Sequence, residues 1–127
     1  MRRLLLASSI ALLGNAYAVE PKVTGIFSSM NLGAEDVTGV EVFIVYSNSG
    51  YYAHVQCAEG AISRPIVVPV NVSGNRIEFN VPKSVSSNEF SCPAGRFTGR
   101  IIKDTLEGHF AGTDWPHALK RRRSYWQ

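Results

Sequence analysis

The chain is 127 residues long, with 13 basic and 10 acidic side chains, three histidines and two cysteines, for a formal charge of +3. Arg2 and Arg3, the apolar stretch Leu4 to Leu13 and the small-x-small triplet Ala16-Tyr17-Ala18 are the three parts of a secretory signal peptide cut after Ala18. Without residues 1–18 a single domain of 109 residues remains, Val19 to Gln127, in which eleven basic side chains meet ten acidic ones; this leaves no room for a second domain and argues against a nucleic-acid partner.

The apolar run of the signal is too short to span a bilayer, which takes about 20 residues. The mature chain is therefore expected without a transmembrane segment, in the periplasm or secreted. Cys57 and Cys92 are an even count in an exported chain, so a disulfide between them is expected.

In chain order, Glu20 to Lys22 leads into a first strand, Thr24 to Met30, and Asn31 to Asp36 is a turn region. Val40, Val42, Ile44 and Tyr46 alternate with Glu41, Phe43 and Val45 in a long second strand that is apolar on both sides towards its end. The turn Ser47 to Gly50 leads to a third strand, Tyr51 to Ala58, broken by Glu59-Gly60. Pro65 to Val72 is a fourth strand, in which Pro69 implies an edge position or a bulge. Ser73-Gly74-Asn75 turns the chain into a fifth strand, Arg76 to Val81, with Ile77, Phe79 and Val81 on its buried face. Pro82 to Pro93 has no period and reads as a loop tied down by Cys92.

Phe97 to Phe110 is a hairpin of two strands around Lys103-Asp104-Thr105. Gly99 and Gly108 stand at strand-interior positions, which mark a bulge, a sharp bend or a close backbone approach. After a turn from Ala111 to Pro116, with Trp115 expected to be exposed, His117 to Tyr125 completes the count as an eighth strand. The expected fold is all-β: an up-and-down antiparallel meander of about eight short strands closing into a small lipocalin-like barrel, the last strand meeting the first. A two-sheet β-sandwich is the alternative.

The strings Val68-Pro69-Val70-Asn71-Val72, Ile77-Glu78-Phe79, Phe97 to Ile101, Leu106 to Phe110 and Leu119-Lys120-Arg121 resemble a small secreted bacterial β-meander module. That module precedes some α/β-hydrolase domains and also occurs as stand-alone exported proteins. The stand-alone forms often end in a Leu-Lys-Arg-x-x-Ser-Tyr-Trp-Gln tail, matched here by Leu119 to Gln127. The resemblance spans about two thirds of the mature chain and brings no catalytic residue onto it.

No Gly-x-Ser-x-Gly is present, and His54, His109 and His117 fall on separate elements without the close ligand spacing of a structural zinc site. The residues therefore predict no catalytic site, no metal and no cofactor. The tail carries the most distinctive chemistry: Arg122 and Arg123 beside Tyr125 and Trp126, which with Trp115 form a candidate interaction surface. Placed instead as the end of the last strand, Tyr125 and Trp126 would cap one mouth of the barrel, with Arg121 directed inwards. Phe27, Phe79, Phe97 and Phe110 are large enough to fill a short-stranded interior. These features favour an exported, non-enzymatic binding module contacting a protein or envelope component, in an inhibitor, immunity-like or accessory role. A carrier of a small apolar ligand inside the barrel and a hydrolase with an unrecognised site are the alternatives.

Overall fold

In the structure, a computed structural model, Gly14, residues 21–84 and residues 88–127 are described. The expected signal and its cleavage site lie outside these residues, Gly14 apart. Ten strands follow one another: β1 (Gly25–Ser28), β2 (Asn31–Leu32), β3 (Val37–Ser47), β4 (Gly50–Glu59), β5 (Ala61–Ile62), β6 (Ile66–Ser73), β7 (Arg76–Val81), β8 (Gly95–Ile102), β9 (Thr105–Phe110) and β10 (Pro116–Arg121).

Eight of them form a closed antiparallel barrel, in the order β1, β3, β4, β6, β7, β8, β9, β10. The circle closes where Phe27 and Ser28 of β1 pair with Arg121 and Lys120 of β10. The meander is therefore complete and leaves no long unpaired edge, the usual liability of a small sheet. The two-residue strands β2 and β5 extend the sheet beside β3 and β4. Pro69 is opposite Tyr52 of β4, and the ladder on its other side, to β7, begins only at Asn71. The proline thus falls where the sheet is locally open, as its missing N–H requires.

Alternation along each strand sends one set of side chains inwards. Val40, Val42 and Ile44 of β3 meet Ala53, Val55 and Cys57 of β4, and all are fully buried. Across the barrel, Phe79 stacks on Phe97 with ring centroids 4.6 Å apart, and Phe97 meets Phe110 edge-on at 5.3 Å. Leu106, Leu119, Ile77 and Ile101 complete this core. An eight-stranded barrel is just wide enough to be filled by side chains or to hold one small ligand. Here Phe27, Phe79, Phe97 and Phe110 all turn into it and are buried.

The glycines of the β8–β9 hairpin explain how the wall bends around these rings. Gly99 and Gly108 are direct partners in the ladder. A Cβ on Gly108 would lie 2.7 Å from Phe97 Cζ and from the Thr98 carbonyl oxygen, and one on Gly99 would lie 2.9 Å from the Glu107 carbonyl oxygen. The expected close backbone approach is present, and the Phe97 ring occupies the space two side chains would have claimed.

Cys57 and Cys92 form the expected disulfide, with an S–S distance of 2.00 Å and a Cα–Cα distance of 5.3 Å. It ties β4 to the segment that leads into β8. The last strand ends at Arg121, four residues before the expected Tyr125. Arg121 turns inwards, as the alternation predicts. Its guanidinium lies 4.5 Å from the centre of the Phe27 ring and donates hydrogen bonds to the carbonyls of Thr24 and Lys22. Two backbone acceptors just before β1, the Thr24 and Lys22 carbonyls, are thereby paired with this side chain and not with a continued β10. The Arg122 amide takes one more bond from β1, to the Ile26 carbonyl, and the chain then leaves the ladder.

Candidate binding surfaces

The residues of the expected interaction surface are divided by the fold. Trp115 is half-buried, not exposed, because the turn before β10 lays its ring 5.7 Å from Phe110 at the edge of the core. It packs as a structural residue and does not join the tail. Nor do Tyr125 and Trp126 cap a mouth of the barrel. Arg121 occupies that position, and the tail folds back along the outside of the wall.

Its anchor is Glu41. This residue points outwards from β3, between the inward Val40 and Val42, yet is only 4% exposed. Its carboxylate accepts a hydrogen bond from the Ser124 hydroxyl and one of 2.9 Å from the Tyr125 amide. The Trp126 indole N–H donates to the Gln56 side-chain carbonyl at 2.9 Å, and Arg122 donates to the Met30 carbonyl. A carboxylate taken out of water is costly unless its oxygens are hydrogen-bonded, so the tail is what makes Glu41 tolerable at that depth. Arg123 is exposed. Trp126, anchored by its nitrogen, remains 52% exposed.

Beside this strap the outer wall is apolar. The register places Ile26, Phe43, His54 and Val67 in one row across β1, β3, β4 and β6, and Val45, Tyr52 and Pro69 in the next. Phe43 is 40%, Val45 39% and Val67 69% exposed. With Trp126 and Gln127 they border an open depression of about 440 Å³. The sequence carried the signal for this surface, since the second strand reads as apolar on both sides, but that alone does not say which side is wet.

The opposite wall carries a second depression, about 530 Å³, on the outside of β7 to β10. It brings together two histidines that the sequence left apart. His109 and His117 both line it, with Arg76 and Arg100 towards β7 and β8. His54 is on the other wall, in the row with Phe43 and Val67. Among the described residues no three His, Cys, Asp or Glu side chains converge as a metal site, and no helix is long and apolar enough to cross a membrane.

No protein-family model, curated protein or solved structure matches this chain. The functional reading therefore rests on these two surfaces.

Proposed function

We propose that this protein is an exported, non-enzymatic binding module that docks a partner protein against the outer face of β1, β3, β4 and β6, beside its C-terminal tail. The observation that carries the reading is the set of exposed apolar side chains Phe43, Val45 and Val67, grouped around His54 and next to Trp126, on a barrel with Phe27, Phe79, Phe97 and Phe110 buried in its core. Exposed apolar side chains scattered singly need no explanation, but a contiguous set does. Aromatic anchors set among aliphatic neighbours, with charge depleted, are what the centre of a protein interface is made of. The signal peptide expected from the sequence and the disulfide suit a role in the periplasm or outside the cell. The likeness of the strands and tail to a secreted β-meander module fits the same setting, and so does an inhibitor, immunity-like or accessory role.

A photo-cross-linking amino acid placed at Val67, in protein exported by its own cell, tests this. The expected result is one discrete protein adduct that disappears when Phe43→Asp is added and is absent when the cross-linker stands at Lys103 instead. Adducts only with lipid, or the same adducts from Val67 and Lys103, would overturn the proposal.

A further inference from the structure

The depression on β7 to β10 is independent of that docking face, and its chemistry is different. Arg76 and Arg100 are direct partners in the β7–β8 ladder, both on the outer surface. Like charges directly opposite one another weaken a strand pair. Among the described residues Arg76 is relieved only by a 3.4 Å contact to Glu78, and Arg100 has no ion pair although Glu107 is its partner on β9. Two guanidiniums side by side present a fork that matches a carboxylate or phosphate.

The far side of the depression is polar in another way. His117 is two residues before the inward Leu119, so a regular strand would turn it inside, against Gly108. Its φ of 75° takes it out of that phase, and it is exposed, lining the depression together with His109. L side chains rarely hold this conformation, and such outliers concentrate at functional sites. Glu107 and Asp114 line the same side as acceptors. Between the two sides runs the backbone of Gly99 and Gly108, whose absent side chains would have pointed inwards against Phe97. The volume is that of a small-molecule site.

From this arrangement we infer that the groove binds a small anionic sugar. Its carboxylate or phosphate sits between Arg76 and Arg100, and its hydroxyls bond to His109, His117, Glu107 and Asp114. The lining explains why a bare anion is not enough, since the two carboxylates would repel it, whereas hydroxyls satisfy them.

The test is an amide chemical-shift titration of the full mature protein with glucuronate, glucose 6-phosphate and glucose. The expected result is saturable shifts at Thr98, Gly99, Gly108 and His117 with one or both charged sugars, and at least about tenfold weaker binding of glucose. Arg100→Ala should weaken the charged sugar about tenfold, while Arg64→Ala, elsewhere on the surface, leaves it unchanged. His117→Gly separates a ligand contact from a purely structural role. Glycine accepts the positive φ, so melting temperature should hold or rise while binding weakens. Binding of glucuronate alone would fix the anion as a carboxylate, and of glucose 6-phosphate alone as a phosphate. No saturable shift with either charged sugar, equal binding of glucose, or unchanged affinity in both Arg100→Ala and His117→Gly would overturn the inference.

Discussion

The two outer walls of this barrel obey the same alternation and end as opposites. On β1, β3, β4 and β6 the outward positions hold Ile26, Phe43, Val45 and Val67, and the tail from Arg122 to Gln127 is strapped alongside through Glu41. On β7 to β10 they hold Arg76, Arg100, Glu107 and His109, and the floor between them is glycine. The inward residues of both walls are dictated by one demand, to fill the same interior. The outward residues, Glu41 beneath the tail apart, answer only to water, and water would accept polar side chains on either wall. A contrast this large is therefore not a requirement of the fold, and each wall is open to assignment by what it can bind.

The contrast is tested most severely by cutting the link between the walls. Cys57 is on β4, which carries the apolar face, and Cys92 leads into β8, which carries the polar groove. Closing a loop of 35 residues stabilises by about 4 kcal/mol through the entropy of the unfolded chain. Reduction should lower the melting temperature by more than about 10 °C in calorimetry, with amide signals from both walls lost together. An unchanged melting temperature, or one wall melting ahead of the other, would mean that the bridge does not hold them as a single unit.

Next in size is Gly108→Val, which acts on the polar wall through the shared core. The new Cβ falls 2.7 Å from Phe97 Cζ and from backbone at Thr98, which cannot move aside without breaking the ladder. A loss of about 3 kcal/mol is expected in denaturant unfolding, the upper range for overpacking. A loss well below about 1 kcal/mol would show that the Phe97 ring has room to shift and that packing does not demand a glycine floor.

Both walls were partly legible in the sequence, for different reasons. Strand count, meander order and barrel closure follow from local alternation and short turns, which act between neighbours in the chain. The close approach at Gly99 and Gly108 was legible too, because a glycine inside a strand has few other uses. The path of the tail was not. Lys120 to Tyr125 alternates well enough to continue a strand, and only the distant Glu41 and Gln56 decide that it turns outwards instead. The meeting of His109 with His117 was hidden for a similar reason. A regular strand phase turns His117 inwards, and the positive φ that reverses it has no signature in a histidine.

Glu41→Ala acts on the apolar wall alone. It removes the acceptor for the Ser124 hydroxyl and the Tyr125 amide, so the strap is left with the Trp126–Gln56 and Arg122–Met30 contacts. Hydrogen bonds to a charged group are worth about 2 kcal/mol, and a similar loss of stability is expected. Hydrogen exchange should show the Tyr125 amide losing protection while Gly99 and Gly108 keep theirs. Continued protection at Tyr125 would mean that the indole and guanidinium contacts suffice to hold the tail.

The smallest effect on stability should belong to the substitution that matters most for binding. Of the apolar residues Phe43, Val45 and Val67, Val67 is the most exposed, and its ladder partner His54 stands between it and Phe43. Val67→Asp removes little buried area. It costs only the difference in strand preference, within about 1 kcal/mol. The same change puts a charge at the centre of the proposed interface, where an unpaired carboxylate would have to be desolvated against apolar surface. Partner capture by a cross-linker at Val45 should therefore fall to background in Val67→Asp while the melting temperature hardly moves. Unaltered capture would detach the apolar face from partner binding and leave the polar groove as the wall that works.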